Sequence, residues 1–312
     1  MNEQEFELQL FDRIEMIKTI NDKYDLEKKA YVSFSGGKDS TVLHYLIDMA
    51  LPNNRIPRVF INTGIEYLDI VKFVREMQMN DDRIIISNTN KPIKQVLEKY
   101  GYPFKSKQHS HYLSIYQHSG ISLSVKRYLG IIESTTQFRC PKSLEYQFTS
   151  DFNIKVSELC CNKLKKEPIK KWEKENNKSI AIIGLMQAEG GQRASHNGCV
   201  VFDTKDTKSL KKFKPLNPIT KEWEEMFITK YNIQLCKLYY PPYNFRRTGC
   251  RGCPYSLDLQ EQIDKMERLL PHEKKMCEVI WKPIYDEYRR IDYRLVKERQ
   301  MSIDDFLEGE YI

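Results

Sequence analysis

No run of about 18 apolar residues occurs anywhere in the 312-residue chain, so no helix drawn from it is expected to span a bilayer. The opening residues Met-Asn-Glu-Gln-Glu-Phe lack the charged-then-apolar pattern of an export signal, and secretion is not expected. Internal repeats and low-complexity tracts are also absent, so a repeat architecture is not expected. Charge of one sign is scarcely in excess: 50 Lys and Arg against 43 Asp and Glu leave +7, which permits a polyanionic partner such as nucleic acid without demanding one. Eight cysteines in a chain without an export signal point to thiols, metal ligands or catalysis rather than structural disulfides, and to the cytoplasm. The length allows one large α/β domain or two smaller ones.

The most informative stretch is Tyr31-Val-Ser-Phe-Ser-Gly-Gly-Lys-Asp-Ser40, an apolar strand opening through two glycines into an amphipathic helix that carries Val42, Leu43, Leu46 and Ile47. Gly36 and Gly37 let backbone approach a ligand closely, and the helix start offers unpaired N–H groups to an anion. Lys38 adds a mobile positive charge, and the hydroxyls of Ser35 and Ser40 can donate to phosphate oxygens. Asp39, an acid beside a phosphate site, calls for a bridging cation, with Mg²⁺ the natural choice. A Walker A loop is excluded, because Val32 stands where its first glycine belongs and Asp39 follows the lysine in place of Ser or Thr. The segment instead resembles the S-G-G-x-D-S loop of the PP-loop ATP pyrophosphatases. That resemblance implies cleavage of ATP between its α- and β-phosphates, with adenylation of a substrate oxygen.

Periodicity predicts a helix over 4–27 from Phe6, Leu8, Leu10, Phe11, Ile14, Ile17 and Ile20. Alternation follows: strand 58–62, helix 68–77, strand 83–87, helix 92–100, and a continuous apolar strand over 179–184. The expected fold is therefore α/β, with a doubly wound, mostly parallel sheet and ligands at the carboxyl ends of its strands. Ser35–Ser40, Asn62–Glu66 and Gly184–Arg193 would converge there. The division expected is an N-terminal helix over 1–27, a main domain over 28–256 with an insertion of short helices and loops over 101–150, and a helical tail over 257–312, with helix over 266–275 and 277–297.

Cys160 and Cys161 are adjacent, and Cys250-Arg-Gly-Cys253 is a C-x₂-C pair. Four thiolates suffice for one tetrahedral Zn²⁺ or one [4Fe-4S] cluster. Adjacent cysteines aim poorly at a single ion, whereas a cubane with separated iron atoms accepts both, which favours iron–sulfur. Cys160-Cys-Asn-Lys-Leu-Lys-Lys-Glu-Pro168 resembles the C-C-x-x-R-K-x-x-P segment of cluster-bearing phosphoadenosine phosphosulfate reductase-like proteins. Asn62-Thr-Gly-Ile-Glu-Tyr67 is similar to that family's D-T-G-x-x-x-P segment, and Gly184-Leu-Met-Gln-Ala-Glu-Gly-Gly-Gln-Arg193 to its G-x-R-x-x-x-S-x-x-R loop. Lys214-Pro-Leu216 and Pro242-Tyr-Asn244 complete the ordered set over roughly 28–256. The resemblance implies an adenine nucleotide alpha-hydrolase-like fold and Cys160, Cys161, Cys250 and Cys253 as cluster ligands. It places Lys165 between cluster and substrate, with Arg193 at the reacting end and Asn62, Thr63, Gly64, Glu66 and Gly184 about the nucleotide.

Four departures from that pattern carry weight. The reductases attack with a cysteine in a C-terminal E-C-G-L-H segment, and this chain has no cysteine after Cys277. They also tend to lose the intact S-G-G-x-D-S loop, which is complete here. Leu164 replaces the arginine beside the cluster lysine, and Asn62 replaces an aspartate. An intact ATP-cleaving loop with a cluster and no reductase nucleophile resembles the sulfur-inserting branch, which includes the pyrophosphatase component of DNA phosphorothioation systems and cluster-bearing tRNA thiolation enzymes. That reading implies an ATP-dependent sulfur transferase, a cysteine desulfurase as donor, a nucleic-acid or nucleotide acceptor, and possible protein partners of a modification complex, with no membrane. A sulfonucleotide reductase and a non-catalytic nucleotide-sensing regulator are the alternatives. Among single residues, Cys140 and Cys199 are candidate persulfide carriers, although a lone cysteine is ordinarily a small buried hydrophobe, and Cys236 reads as core. His109 and His111, with Lys105 and Lys107, could contact substrate phosphate but read first as a solvated loop, and Lys205, Lys208, Lys211, Lys212 and Lys214 as a charged surface.

Overall fold

The computed structural model describes residues 1–89, 91–133, 139–189 and 198–296. Contacts group the chain into two compact units, one of Met1–Ile93 with Cys161–Arg251, the other of Lys94–Cys160 with the chain from Gly252 onward.

The first unit is built on a six-stranded sheet of β1 (Ala30–Ser33), β2 (Arg58–Asn62), β3 (Ile84–Asn88), β4 (Ile180–Ile182), β5 (Val200–Phe202) and β6 (Leu210–Phe213), in the order β3-β2-β1-β4-β6-β5. Every neighbouring pair is parallel except β5 with β6. β1 is central because Ala30, Tyr31 and Val32 are apolar on both faces, and all three are buried. It pairs with β2 on one side (Val32 opposite Arg58) and β4 on the other (Val32 opposite Ile182). The strand order thus runs outward from β1 in both directions, the doubly wound arrangement that the alternation of elements predicts.

Helices α1 (Glu3–Tyr24), α2 (Leu26–Lys29), α3 (Lys38–Ala50), α4 (Leu68–Asn80), α5 (Ile93–Tyr100), α6 (Lys107–Ser119), α7 (Leu123–Tyr128), α8 (Glu167–Glu175), α9 (Lys221–Lys230), α10 (Leu259–Leu269), α11 (Pro271–Ile280) and α12 (Lys282–Arg290) complete the elements used below. On one face of the sheet Phe6, Leu10 and Ile17 of α1, Leu43, Leu46 and Ile47 of α3, and Trp223 and Phe227 of α9 form the main core. Trp223 stacks on Phe6 at 5.3 Å and on Phe227 at 5.0 Å. The other face packs Tyr31, Val59 and Ala181 against Trp172 of α8.

Several elements differ from the sequence-based expectation. The helix expected over 4–27 stops at Tyr24, because Asp25 takes a left-handed φ of 54° and its carboxylate then caps α2. β6 was hidden among the lysines: in Leu-Lys-Lys-Phe only the two ends are buried, which breaks strict alternation. Lys214, one residue beyond β6, is buried rather than part of a charged surface. Residues 101–150 contain the 13-residue helix α6, started by Ser106, whose hydroxyl accepts the His109 N–H at 3.1 Å. The tail expected as two helices forms three, because Pro271 and Pro283 lack an N–H and fit only the first turn of a helix. In the second unit Phe104 packs edge-on against Tyr288 at 4.8 Å, and Tyr102 and Val156 form a parallel bridge. No helix among the described residues is long and apolar enough to cross a membrane.

Candidate active site

The phosphate-loop candidate lies where β1 ends, next to the end of β4, at the point where strand order reverses. Phe34 continues the pairing through its N–H to the Val59 carbonyl (3.0 Å), and Gly36 then turns with φ +67°. A Cβ on Gly36 would stand 2.6 Å from Val74 Cγ2, so both its φ and the packing of α4 demand glycine. Gly37 caps α3 with extended backbone, and Lys38 and Asp39 open the helix. Gly184 approaches from β4 so closely that a Cβ would lie 2.9 Å from the Asp39 carbonyl oxygen. The loop's hydroxyls are knitted together: Ser35 N–H donates to Ser40 Oγ (3.2 Å), the two Ser hydroxyls lie 3.0 Å apart, and Ser40 Oγ donates to the Gly37 carbonyl (2.9 Å).

Sequence reasoning missed Glu224. Its side chain is wholly shielded, and Lys38 Nζ sits 2.8 Å from its carboxylate. The Lys38 ammonium offsets the charge of this carboxylate, and the Asp39 side chain also meets it in a hydrogen bond. Burial, reinforced by the negative charge of Asp39 and opposed by Lys38, holds the Glu224 carboxyl well above the usual carboxylate range. The signal was present: Glu224 lies three residues before Phe227 and four after Thr220, on the apolar stripe of α9.

A second cluster forms beyond β2. Thr63 N–H and Thr63 Oγ1 both donate to the Glu66 carboxylate at 2.9 Å, and Gly64, at φ +80°, donates its N–H to Asn62 Oδ1 at 3.2 Å. Glu66 forms an antiparallel bridge with Cys250, and Arg251 N–H donates to the Ile65 carbonyl at 2.8 Å. Lys165 reaches this pair from a π-helical turn, Asn162–Lys166, that directly follows Cys161. Its Nζ is 3.3 Å from Glu66 Oε1, and the negative charges of Cys250 and then Glu66 push its pKa up. Burial pushes the Cys250 thiol up, while the Lys165 ammonium opposes that shift.

None of the eight cysteines is in a disulfide. Cys161 and Cys250 belong to the first unit and Cys160 and Cys253 to the second. Four thiols are the donor chemistry of a [4Fe-4S] cluster, and within the first unit the ammonium beside Cys250 suits an anionic centre. Cys140 is buried, and that burial pushes its thiol up to about 12, which leaves little thiolate for persulfide chemistry. Cys199 is half-buried with Arg13 Nη1 at 3.5 Å, and Cys236 is core, as its apolar setting predicts. His109 is fully buried between Tyr128 Oη (2.9 Å) and Gln147 Oε1 (2.7 Å), not in a solvated loop, whereas His111 is exposed and pairs with Glu158. Arg193 lies outside the described residues. The ligand atoms of His44, Asp48 and Asp81 lie within 4.8 Å of one another. Arg58 and Arg83 pair with these acids at 2.6 to 2.8 Å, which makes the group an ion-pair network.

Residues 29–132 and 121–256 match the phosphoadenosine phosphosulfate reductase domain. The chain belongs to that family. A curated relative, an uncharacterised protein of Methanocaldococcus jannaschii, is 36% identical over 73 residues, which is 23% of this chain and 17% of the relative. The chain therefore matches about a sixth of that relative's length. Among solved structures, a phosphoadenylyl-sulfate reductase from Candida auris is similar at 12% identity and a TM-score of 0.43, over 76% of this chain and 91% of that one. The FMN adenylyltransferase of Candida glabrata, with FAD and inorganic pyrophosphate, is similar at 14% identity and 0.43, over 77% and 62%. The tRNA thiolase NcsA from Methanococcus maripaludis, with its [4Fe-4S] cluster, is similar at 17% identity and 0.36, over 87% and 78%.

Proposed function

We propose that this member of the reductase-domain family is an ATP-dependent sulfur transferase that adenylates an acceptor oxygen on nucleic acid or a nucleotide. The reading rests above all on the complete Ser35–Ser40 loop, set between β1 and α3 at the reversal of strand order. Gly36, Gly37, Lys38 and Ser40 would hold the β- and γ-phosphates of ATP, and Asp39 would bind Mg²⁺. An acceptor oxygen attacks the α-phosphorus, the α–β bridge breaks, and pyrophosphate leaves; the loop contributes position and charge neutralisation. The terminal sulfur of a persulfide supplied by a cysteine desulfurase then attacks the adenylated atom, AMP departs with the oxygen, and a second thiol cleaves the S–S bond so formed, leaving the sulfur on the acceptor and a disulfide on the donor side. Cys160, Cys161, Cys250 and Cys253 would hold a [4Fe-4S] cluster, which supplies a sulfur- or electron-handling centre when bound. Lys165 and Glu66 would set the charge beside Cys250, and Arg193 would meet the substrate.

The deciding experiment supplies anaerobically purified protein with Mg²⁺, ATP, a cysteine desulfurase, a thiol reductant, cysteine radiolabelled at sulfur, and nucleic acid. Label in the nucleic acid, with matching AMP and pyrophosphate, supports the reading. Pyrophosphate release without any labelled acceptor in cell-derived nucleic acid or nucleotide pools overturns it.

A further inference from the structure

The phosphate loop already has oxygens seated on its N–H groups. Gly37 N–H points to Ser35 Oγ (3.3 Å) and Ser35 N–H to Ser40 Oγ (3.2 Å), both within the loop. The third comes from far along the chain: Lys38 N–H, the first of α3, donates to Tyr239 Oη at 3.0 Å. This is one of the donors that a helix start offers to an anion. Tyr239 ends a short 3₁₀ turn, Lys237–Tyr239, that Lys237 anchors to Asp69 at 2.9 Å. Burial pushes its hydroxyl up to about 12, so it keeps its proton at neutral pH.

The same hydroxyl reaches a second one. Tyr239 Oη and Thr248 Oγ1 lie 2.5 Å apart, and Thr248 precedes Cys250 by two residues. Cys250 is in turn fixed to the β2 loop through Glu66, with Arg251 N–H on the Ile65 carbonyl. An unbroken path of two hydrogen bonds therefore joins the first N–H of the phosphate loop's helix to the segment that carries Cys250. A Cβ placed on Gly37 would lie 3.3 Å from Tyr239 Oη and 3.6 Å from Thr248 Oγ1, so both hydroxyls stand over the loop itself.

We propose that the Tyr239 hydroxyl is a placeholder for a phosphate oxygen, and that its displacement by the pyrophosphate moiety of a nucleotide releases Thr248 and loosens the Gly249–Cys250 segment. Nucleotide occupancy would thereby be relayed to a cysteine of the candidate cluster set, with Tyr239 and Thr248 as positioning residues. This rests on the reading of Ser35–Ser40 as a phosphate site.

The test uses inorganic pyrophosphate with Mg²⁺ as the probe, on full-length protein. Affinity is measured by calorimetry, and hydrogen–deuterium exchange is followed over residues 246–252. In the parent protein, pyrophosphate should accelerate exchange in that segment. In Tyr239→Phe the competing hydroxyl is gone, so pyrophosphate should bind about fivefold tighter, and exchange should be fast without it. Thr248→Val, which spares the Lys38 contact, should change affinity less than about twofold while abolishing the response of residues 246–252; it also serves if Tyr239→Phe fails to fold. Weaker binding by Tyr239→Phe would make Tyr239 a direct phosphate ligand and overturn displacement. Unchanged affinity with no exchange response in the parent would overturn the relay. No pyrophosphate binding by the parent protein would instead overturn the phosphate-site reading beneath both.

Discussion

Lys38 Nζ stands 2.8 Å from a carboxylate oxygen of Glu224, an acid wholly shut off from solvent on the apolar stripe of α9. A buried acid there costs stability except as far as pairing and hydrogen bonds offset its desolvation. Its carboxyl titrates well above the ordinary range, chiefly through burial. As pH rises from that ordinary range toward neutrality, the unfolded chain releases this proton before the folded chain does. Folding stability should therefore fall with rising pH across that window. Urea titrations of Glu224→Gln and the parent protein should diverge by at least about 1 kcal/mol over it, since each pKa unit is worth about 1.4 kcal/mol. Parallel curves would show that Glu224 does not titrate in this way.

Asp39→Ala should abolish Mg²⁺-dependent pyrophosphate release, by about 100-fold or more, while the circular dichroism spectrum stays that of the parent. Asp39 lies in the first turn of α3, where losing a negative charge costs only about 0.5 kcal/mol. Turnover like the parent's would remove Asp39 from the site.

Glycine substitutions should separate strain from fit. Gly64 has a left-handed φ of +80° but open space around its missing side chain, so Gly64→Ala should cost about 1 kcal/mol and little else. Gly184→Ala would press a Cβ against the Asp39 carbonyl and displace the phosphate loop. ATP affinity, measured by calorimetry, should drop far more in Gly184→Ala than in Gly64→Ala.

Two buried histidines predict acid sensitivity in both compact units. Burial lowers His44 to about 4 and His109 to about 4, against an ordinary value of 6.5. Below pH 6.5 the unfolded chain takes protons that the folded chain refuses. Stability should then be lost as pH falls from 6.5 to about 4, by up to roughly 3 kcal/mol for each histidine. His109→Gln should flatten part of that slope in denaturant titrations, and an unchanged slope would contradict its burial as a neutral ring.

Anaerobic protein should be brown and contain iron and acid-labile sulfide, and both should be lost in Cys250→Ser. One tightly held zinc with no sulfide would refute the cluster. The same protein, given thioredoxin, should release no sulfite from phosphoadenosine phosphosulfate or its unphosphorylated analogue. Cys277 is fully buried within α11, a poor setting for a nucleophile that must reach substrate and then be resolved. Sulfite release at ordinary enzymatic rates would end the sulfur-insertion reading.

The sheet's core was readable because local composition alone determines it: β1, β2 and β4 are short apolar runs that carry their own signature. Position 58–62 and the glycine loop are local in the same way. What escaped was relational. Glu224 meets Lys38 across 186 residues and Tyr239 meets it across 201, and no pattern in either segment names the other. β6 escaped because two lysines fill its exposed positions, which a reading by charge assigns to a surface. His109 escaped because its partners Tyr128 and Gln147 lie on other elements, so burial came from packing rather than from its neighbours in sequence.

The strand order β3-β2-β1-β4-β6-β5 also sets a schedule for synthesis. Once Asn88 has emerged, β1, β2 and β3 can pair, but the other side of β1 stays bare until Ile180–Ile182 is made roughly ninety residues later. At ribosomal speeds that interval lasts roughly 5–20 s, far longer than hydrophobic collapse. For that time Ala30–Val32 presents an apolar, unpaired edge in the middle of what will become the sheet. A nascent chain in that state is the form most exposed to edge-to-edge association, and the form a chaperone has most reason to hold.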